Sequence, residues 1–394
     1  MNSKMTPSEN SKNNIVRIVP VKSQKLLSLF THLPRLLYKS FPEYVPPLDK
    51  EQKGNLDPKH SSFFRYGVAR YFLAFRNGKP VGRISAQIDP NALREWKKPI
   101  GLFGALDSID DQDVVNALVD AASIWLKKMG MEKIRGPYTL TANAELGMMI
   151  EGQMAPPMIA MPWHPKYLLP LVENTGLQKV MDVMSYQMQL NQQAIAAHKI
   201  PSGLKIGKGS LGNITTRKLD MHHIEQDGEI LRQLYNDAWR DNWGFVPLTK
   251  IEMAFLIREL KPIFKPENYV LVEQNQKPVA VAMVVPNIYD LMQHDIGPAP
   301  SLLGWAKLAF RITTHRFRSA RVILLGISHS LKGTALGALM PALVIEELFN
   351  RGKILPYRMI ELGWILETNK PMRNLIERIT PTPCKTYRIF EKDL

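Results

Sequence analysis

With one cysteine, Cys384, in 394 residues, the chain can form neither an intrachain disulfide nor a cysteine-rich metal site. It also lacks the uninterrupted apolar run of about 18 residues or more that a membrane-crossing helix requires. The longest candidate, residues 302–327, is broken by Lys307, Arg311, His315, Arg316, Arg318 and Arg321. No charged start followed by an apolar middle marks a cleavable leader. Zinc-finger spacing, RNA-binding aromatic signatures and an uninterrupted basic arm are missing too. These absences set the expectation of a cytoplasmic protein with no metal and no nucleic-acid partner.

What is present is globular: 45% hydrophobic and 22% charged residues, with a Ser-, Asn- and Lys-rich tail at 1–13 that we set aside as disordered. Single cores stop growing near about 250–300 residues, so this length predicts two domains. We place them at 14–195 and 196–394, with the polar stretch 191–202 as the linker. Lysine and arginine outnumber acids 51 to 36, a net charge of +15 that favours anionic partners, such as a phosphorylated coenzyme or an anionic membrane surface.

Along the chain, residues 15–21 alternate as a strand, and Ser23 can cap a helix running to about residue 40. Asn77-Gly78 between two alternating apolar runs predicts a hairpin of 71–76 and 80–88. A strand at 100–105, an amphipathic helix at 110–129 with acids first and lysines last, and a strand at 133–136 follow. The second half repeats this order without repeating the sequence. A strand at 211–218 and helices at 227–242 and 250–260 precede a hairpin of 269–274 and 277–286 around Asn275-Gln276. Then come a strand at 321–327, a helix at 333–350, a strand at 359–364, a helix at 370–379 and a last strand at 386–391. Each half therefore reads hairpin, strand, long helix, strand. The fold class expected is α/β, with mixed, mostly antiparallel sheets flanked by helices.

In the second half the apolar strand Val322-Ile-Leu-Leu-Gly-Ile327 runs through Ser328-His-Ser-Leu-Lys-Gly-Thr-Ala-Leu-Gly337 directly into a helix. Such a loop presents unpaired backbone N–H groups and the positive end of the helix dipole to an anion. A pyrophosphate suits Lys332, Gly333, Thr334, Ala335, Leu336 and Gly337; a turn that needs glycine only for its geometry suits them equally. The first half has Asp107, Asp110 and Asp111 at the matching place, and these carboxylates repel phosphate. One coenzyme per chain is therefore expected.

This loop, the run Glu361-Leu-Gly-Trp-Ile-Leu-Glu-Thr-Asn369 and the terminal Tyr387-Arg-Ile-Phe390 together resemble a domain of the GNAT superfamily of acyl-CoA N-acyltransferases. Ser330, Gly333 and Ala335 occupy the three places of that superfamily's pyrophosphate motif, with serine departing from its usual Arg or Gln. Two further motifs, Tyr235-Asn-Asp-Ala-Trp-Arg-Asp-Asn-Trp-Gly-Phe-Val-Pro-Leu248 and Arg135-Gly-Pro with Asn143-Ala-Glu-Leu-Gly-Met-Met-Ile-Glu-Gly152, resemble a bacterial double-GNAT family. Some members of that family look like bacterial ceramide synthases. The resemblance implies two tandem GNAT-like domains, the first without a coenzyme loop, and transfer of an acyl group from acyl-CoA to an amine, with a long-chain sphingoid base as a lead. It implies that the backbone of Leu325, Gly326 and Ile327 receives the pantetheine arm and that Asn369 lies near the thiol end.

The superfamily's usual proton donor falls on Ile376 here, so either Tyr387 substitutes or the thiolate leaves unaided. That departure keeps a catalytically silent, acyl-CoA-binding protein open as the alternative. Glu145, in a glycine-bearing segment, and His294, which titrates near neutrality, are candidate bases for the amine; simple solvation accounts for either as well. Trp239, Trp243 and Phe245 can wall an apolar substrate channel or pack a helix end. The stretch 302–322 mixes large apolar residues with six basic ones, compatible with an anionic membrane surface or with a helix packed on the sheet.

Overall fold

The computed structural model describes residues 15–190, 208–209, 212–292, 296–352, 355 and 357–394. The linker expected at 191–202 lies outside them. The chain divides into two compact units, one of Met1–Gln153, Pro162–Met181 and Tyr387–Leu394, the other of Met154–Met161 and Asp182–Thr386.

The first unit contains strands β1 (Arg17–Pro20), β2 (Val68–Arg76), β3 (Lys79–Ile88), β4 (Ile100–Ser108), β5 (Lys133–Gly136) and β6 (Met148–Glu151), and helices α1 (Gln24–Leu37), α2 (Asp49–Leu56), α3 (Pro90–Trp96), α4 (Gln112–Lys128) and α5 (Leu168–Glu173). Strands β1 to β5 pair in order, all antiparallel except β4 with β5. The Ser23 side chain caps α1 by accepting from the Leu26 N–H at 3.3 Å. Asn77 takes the left-handed conformation (φ +50°) that a tight hairpin of this twist demands. Alternation then separates two cores. Phe72, Ala74, Ile84 and Ala86 pack on α4 through Val115, Leu118 and Ala122, whereas Tyr71 and Leu73 pack on α1 through Leu27, Phe30 and Leu33. Both faces are covered, which is why these strands are so uniformly apolar.

The second unit uses β7 (Gln178–Gln189), β8 (Lys208–Gly209), β9 (Gly212–Arg217), β10 (Tyr269–Gln274), β11 (Lys277–Pro286), β12 (Ser319–Ile327), β13 (Met359–Leu366) and the start of β14 (Lys385–Asp393). Its helices are α6 (Ile224–Trp239), α7 (Lys250–Leu260), α8 (Leu302–Thr313), α9 (Ala335–Gly352) and α10 (Lys370–Glu377). Strands β9 to β12 pair antiparallel, β12 pairs parallel with β13, and β13 pairs antiparallel with β7. The far end of β14 pairs with β5 in the first unit. The core under α9 joins Leu336, Met340, Leu343 and Val344 to Val270, Val272, Ala280 and Ala282.

Six elements go beyond the sequence expectation: α2, α3, α5, β6, β7 and the two-residue β8. Helix α3 carried its own signals, with Asp89 capping the Asn91 and Ala92 N–H groups and Pro90 in the first turn. Strand β7 did not, because its interior is polar: Ser185 is fully buried and Asp182 nearly so. The 302–322 stretch splits into α8 and the start of β12.

Candidate functional site

The parallel ladder of β12 and β13 runs only from Ser319 opposite Met359 to Val322 opposite Leu362. Beyond it β12 stays with β11, as far as Ile327 opposite Ala280. Strand β13 stays with β7, through Ile365 opposite Met184 and Leu366 opposite Val183. The two neighbours part, and among the described residues one backbone edge of 323–327 has no strand partner. The register helps: Met283 faces Leu324 while Val284 faces Val322, so Ile323 is an extra, bulged residue at the point of parting. An open strand edge accepts an extended amide-bearing ligand as an added strand.

Strand β12 leads into the loop. Ser328 opens a short turn at His329–Leu331 and accepts from the Ser330 N–H. Gly333 follows with φ +77°. Thr334 Oγ1 then accepts from the Gly337 N–H at 3.0 Å, capping α9. The N–H groups of Gly333, Ala335 and Leu336 have no acceptor among the described residues, and 332–335 are exposed. Gly337 is held tight against the turn: a Cβ there would lie 2.0 Å from the Leu331 carbonyl oxygen. The result is a cluster of N–H groups without an acceptor among the described residues at the positive end of an 18-residue helix.

The end of α6 lashes this loop in place. Asp237 accepts from Ser328 Oγ at 2.8 Å and from the His329 N–H at 2.7 Å. Asp241 accepts from Lys332 Nζ at 2.8 Å and His329 Nε2 at 3.1 Å, and Arg240 meets His329 Nδ1 at 2.6 Å. Lys332, then His329, hold the Asp241 carboxyl below its ordinary range. Asn236 clamps the following turn with two bonds to the Leu248 backbone. The Tyr235–Leu248 motif therefore builds the loop's support. Of the predicted channel residues, Trp239 and Phe245 both pack on Tyr235, with centroids 4.4 and 5.9 Å away, beside those anchors. Trp243 is half-buried.

Where the strands part, the sheet carries charges that sequence reasoning overlooked. Glu361, fully buried, pairs with Lys385 at 2.7 Å and accepts from Ser185 Oγ at 2.7 Å. Burial, with the Glu361 charge adding to it, raises the pKa of the Cys384 thiol beside them. Arg321, the ladder partner of Glu361, lays its guanidinium 4.3 Å from the Trp364 ring centroid and donates to the carbonyls of Gly363, Ile159 and Ala160. Their only sequence signal is a charged residue inside an apolar strand, at Arg321 and Glu361.

The remaining predicted residues are scattered. Asn369 caps α10 by accepting from the Met372 N–H. Ile376, in the proton donor's place, is buried with Tyr186 and Ile365. Glu145 and Tyr387 lie in the first unit. Glu145 accepts from Thr139 Oγ1 at 3.1 Å. Tyr387 is fully buried, its Cβ 2.8 Å from where a Cβ on Gly147 would stand. His294 falls outside the described residues.

The first unit repeats the parting of strands but fills it. Its parallel ladder ends at Leu102 opposite Arg135. There the Tyr138 N–H donates to the Phe103 carbonyl at 2.7 Å, and Gln87 Nε2 donates to the Tyr138 carbonyl at 2.8 Å. A Cβ on Gly104 would stand 1.8 Å from that same oxygen. At the start of α4 the Asp111 carboxylate caps the Val114 N–H at 3.2 Å, the place where the uncharged Thr334 hydroxyl caps Gly337 in α9, so an anion there would meet a negative charge.

Among curated proteins, the chain is 33% identical over 387 residues to the bacterial ceramide synthase of Caulobacter vibrioides, covering 98% of this chain and 99% of the relative. It is 34% identical over 371 residues to the protein YghO of Escherichia coli, covering 93% of each. No family model matches. Among solved structures, a tandem GNAT protein from the clavulanic acid biosynthesis pathway matches with a TM-score of 0.56 at 11% identity, over 96% of this chain and 98% of that one. A GCN5-related N-acetyltransferase from Sphaerobacter thermophilus matches with a TM-score of 0.50 at 12% identity, over 95% of each. These likenesses establish the fold as a tandem GNAT, as the sequence led us to expect.

Proposed function

We propose that this chain, which belongs to the family of the bacterial ceramide synthase, transfers an acyl group from acyl-CoA to the primary amine of a long-chain, sphingoid-type base. The observation that carries the reading is the open edge of β12 leading straight into the loop where the N–H groups of Gly333, Ala335 and Leu336 have no acceptor among the described residues. The pantetheine arm would lie along Leu325, Gly326 and Ile327. The pyrophosphate would sit on Gly333, Thr334, Ala335, Leu336 and Gly337, with Lys332 beside it and Asn369 toward the thiol end. The amine nitrogen attacks the thioester carbonyl, a C–N bond forms, and the C–S bond breaks. The amine loses a proton to a base, for which Glu145 and His294 are our candidates, and the leaving thiolate takes one up, with Tyr387 as the candidate donor. Trp239, Trp243 and Phe245 would border the substrate path.

The filled gap and the negative charge of the Asp111 carboxylate at the start of α4 support one coenzyme per chain. Calorimetric titration with a non-hydrolysable acyl-CoA tests this: one site per chain is expected, and two equivalent sites would overturn it. The apolar packing of Ile376 favours a second reading, a silent acyl-CoA-binding protein. It predicts acyl-CoA binding without any amine-dependent release of thiol.

A lipid acceptor fits α8. Only Gly304 and Leu308 of this helix are buried. Leu302 is 91% exposed, Leu303 68% and Phe310 57%, along one side, with Arg316 stacked on Phe310 and the exposed Arg318 two residues further along the chain. An apolar stripe edged with cations is what an anionic bilayer surface holds. Among the described residues no helix is long and apolar enough to cross a membrane, so the contact we propose is peripheral.

A further inference from the structure

Helices α6 and α7 cover the face of the second unit's sheet opposite α9, and a cavity of about 40 Å³ lies between them and the strands. The alternation of the strands fixes the face: Val270, Ala280 and Ala282 point at α9, whereas Tyr269 and Met283 line the cavity. Leu231 on α6, and Met253, Ile257 and Leu260 on α7, complete its apolar wall. The acid at its edge, Asp227, is consumed by two bonds from Arg217, at 2.6 and 2.9 Å, and one from the Asp220 N–H. The volume would admit about three waters, but the wall offers them no hydrogen-bond partners, so the space favours hydrocarbon over water.

Its position ties it to the donor slot. Met283 stands directly opposite Leu324, the residue next to the bulge where β12 leaves β13, and Tyr269 stands opposite Met283. The cross-strand row Leu324, Met283, Tyr269 thus starts at the parting of the strands and runs under α6 and α7. A hydrocarbon tail attached at the thioester can follow that row, whose one polar side-chain atom, the Tyr269 hydroxyl, donates to the Asp227 carbonyl at 3.4 Å. Met253 and Met283 are unbranched and can change rotamer to lengthen the space.

We propose that this cavity is the pocket for the hydrocarbon tail of the acyl donor, and that Met253, Leu256 and Met283 set the chain length it accepts. This rests on the acyltransferase reading above. The commitment to the donor's tail, rather than the acceptor's, follows from Met283, a lining residue that pairs with Leu324 of β12, the strand that would hold the donor.

The test uses the full chain with a fixed sphingoid base and a series of acetyl-, hexanoyl-, dodecanoyl- and octadecanoyl-CoA, scoring thiol release. Met253→Trp is expected to lower kcat/KM for the two long donors by about tenfold or more while leaving the short ones within about twofold, the scale of a hydrophobic pocket reshaped by a few carbon atoms. Leu256→Trp, at the half-exposed mouth, should do the same if Met253→Trp does not fold. Calorimetry gives a readout apart from turnover: the affinity gain of dodecanoyl-CoA over CoA should shrink in either variant. An unchanged donor profile in a wild-type-active protein overturns the pocket assignment alone, as does a shift that follows the acceptor's tail length instead. A wild-type protein that releases no thiol with any donor sinks the acyltransferase reading and the pocket with it.

Discussion

Replacing Gly337 by alanine should disable the pyrophosphate cradle without unfolding α9. The new Cβ would stand 2.0 Å from the Leu331 carbonyl oxygen, whereas carbon and oxygen settle at about 3.3 Å, so one must move by about 1.3 Å. That oxygen accepts both the Thr334 N–H at 3.1 Å and Thr334 Oγ1 at 2.8 Å. Moving it re-aims Thr334, the cap of α9, and with it the N–H groups of Gly333, Ala335 and Leu336. Each bond to a charged phosphate is worth about 1.5–3 kcal/mol, so losing one weakens CoA about 10- to 150-fold. Alanine is the better helix former by up to about 1 kcal/mol, which gives no reason for a lower Tm beyond the strain at the loop. Calorimetry with CoA and with pantetheine, which lacks the pyrophosphate, separates the cradle from the arm. CoA should weaken while pantetheine does not. Equal weakening of both, or unchanged CoA affinity, would refute the reasoning.

Four further outcomes are expected. Lys385→Met leaves Glu361 charged and buried without its ion-pair partner, and should cost about 3–5 kcal/mol in urea unfolding, much of it recovered in the double variant Glu361→Met/Lys385→Met. Burial, offset in part by Asp107, pulls the His164 imidazole down to about 4. The native ring therefore stays neutral while the unfolded chain takes up a proton below about 6.5, and stability falls by about 1.4 kcal/mol per unit as pH drops from about 6.5 to about 4; the difference between wild type and His164→Asn across that range should show this slope. Leu303→Glu with Phe310→Glu should abolish co-sedimentation with anionic vesicles and leave acylation of a short, water-soluble amine unchanged. Alanine at Glu145 or at His294 should lower turnover at saturating amine, and both assignments go if neither does.

Much of this architecture is written locally in the sequence. Asn77-Gly78 and Asn275-Gln276 mark their hairpins because tight turns need particular residues, and Ser23 and the Asp at 111 mark helix starts because caps do. The loop at 330–337 was legible for the same reason. What was not legible depends on register and on partners far away in the chain. The parting of β12 from β13 turns on one bulged residue, Ile323, inside a run that looks uniformly apolar. Strand β7 hides because Ser185 reads as a surface residue until Glu361, 176 positions on, satisfies it. Lys385 reads as a solvated lysine for the same reason. Asp237 and Asp241 stood within a motif we had marked, yet nothing in their spacing announced that they tether a loop some 90 residues downstream.

The most direct test of the account follows both halves of the reaction in one vessel. Isotope-labelled acyl-CoA and a sphingoid base are incubated with the purified full chain, and mass spectrometry counts the N-acyl product against the thiol released. The account predicts labelled amide and free CoA in equal amounts, both dependent on the amine. Thiol release without amide, or binding of acyl-CoA with neither product, would contradict it.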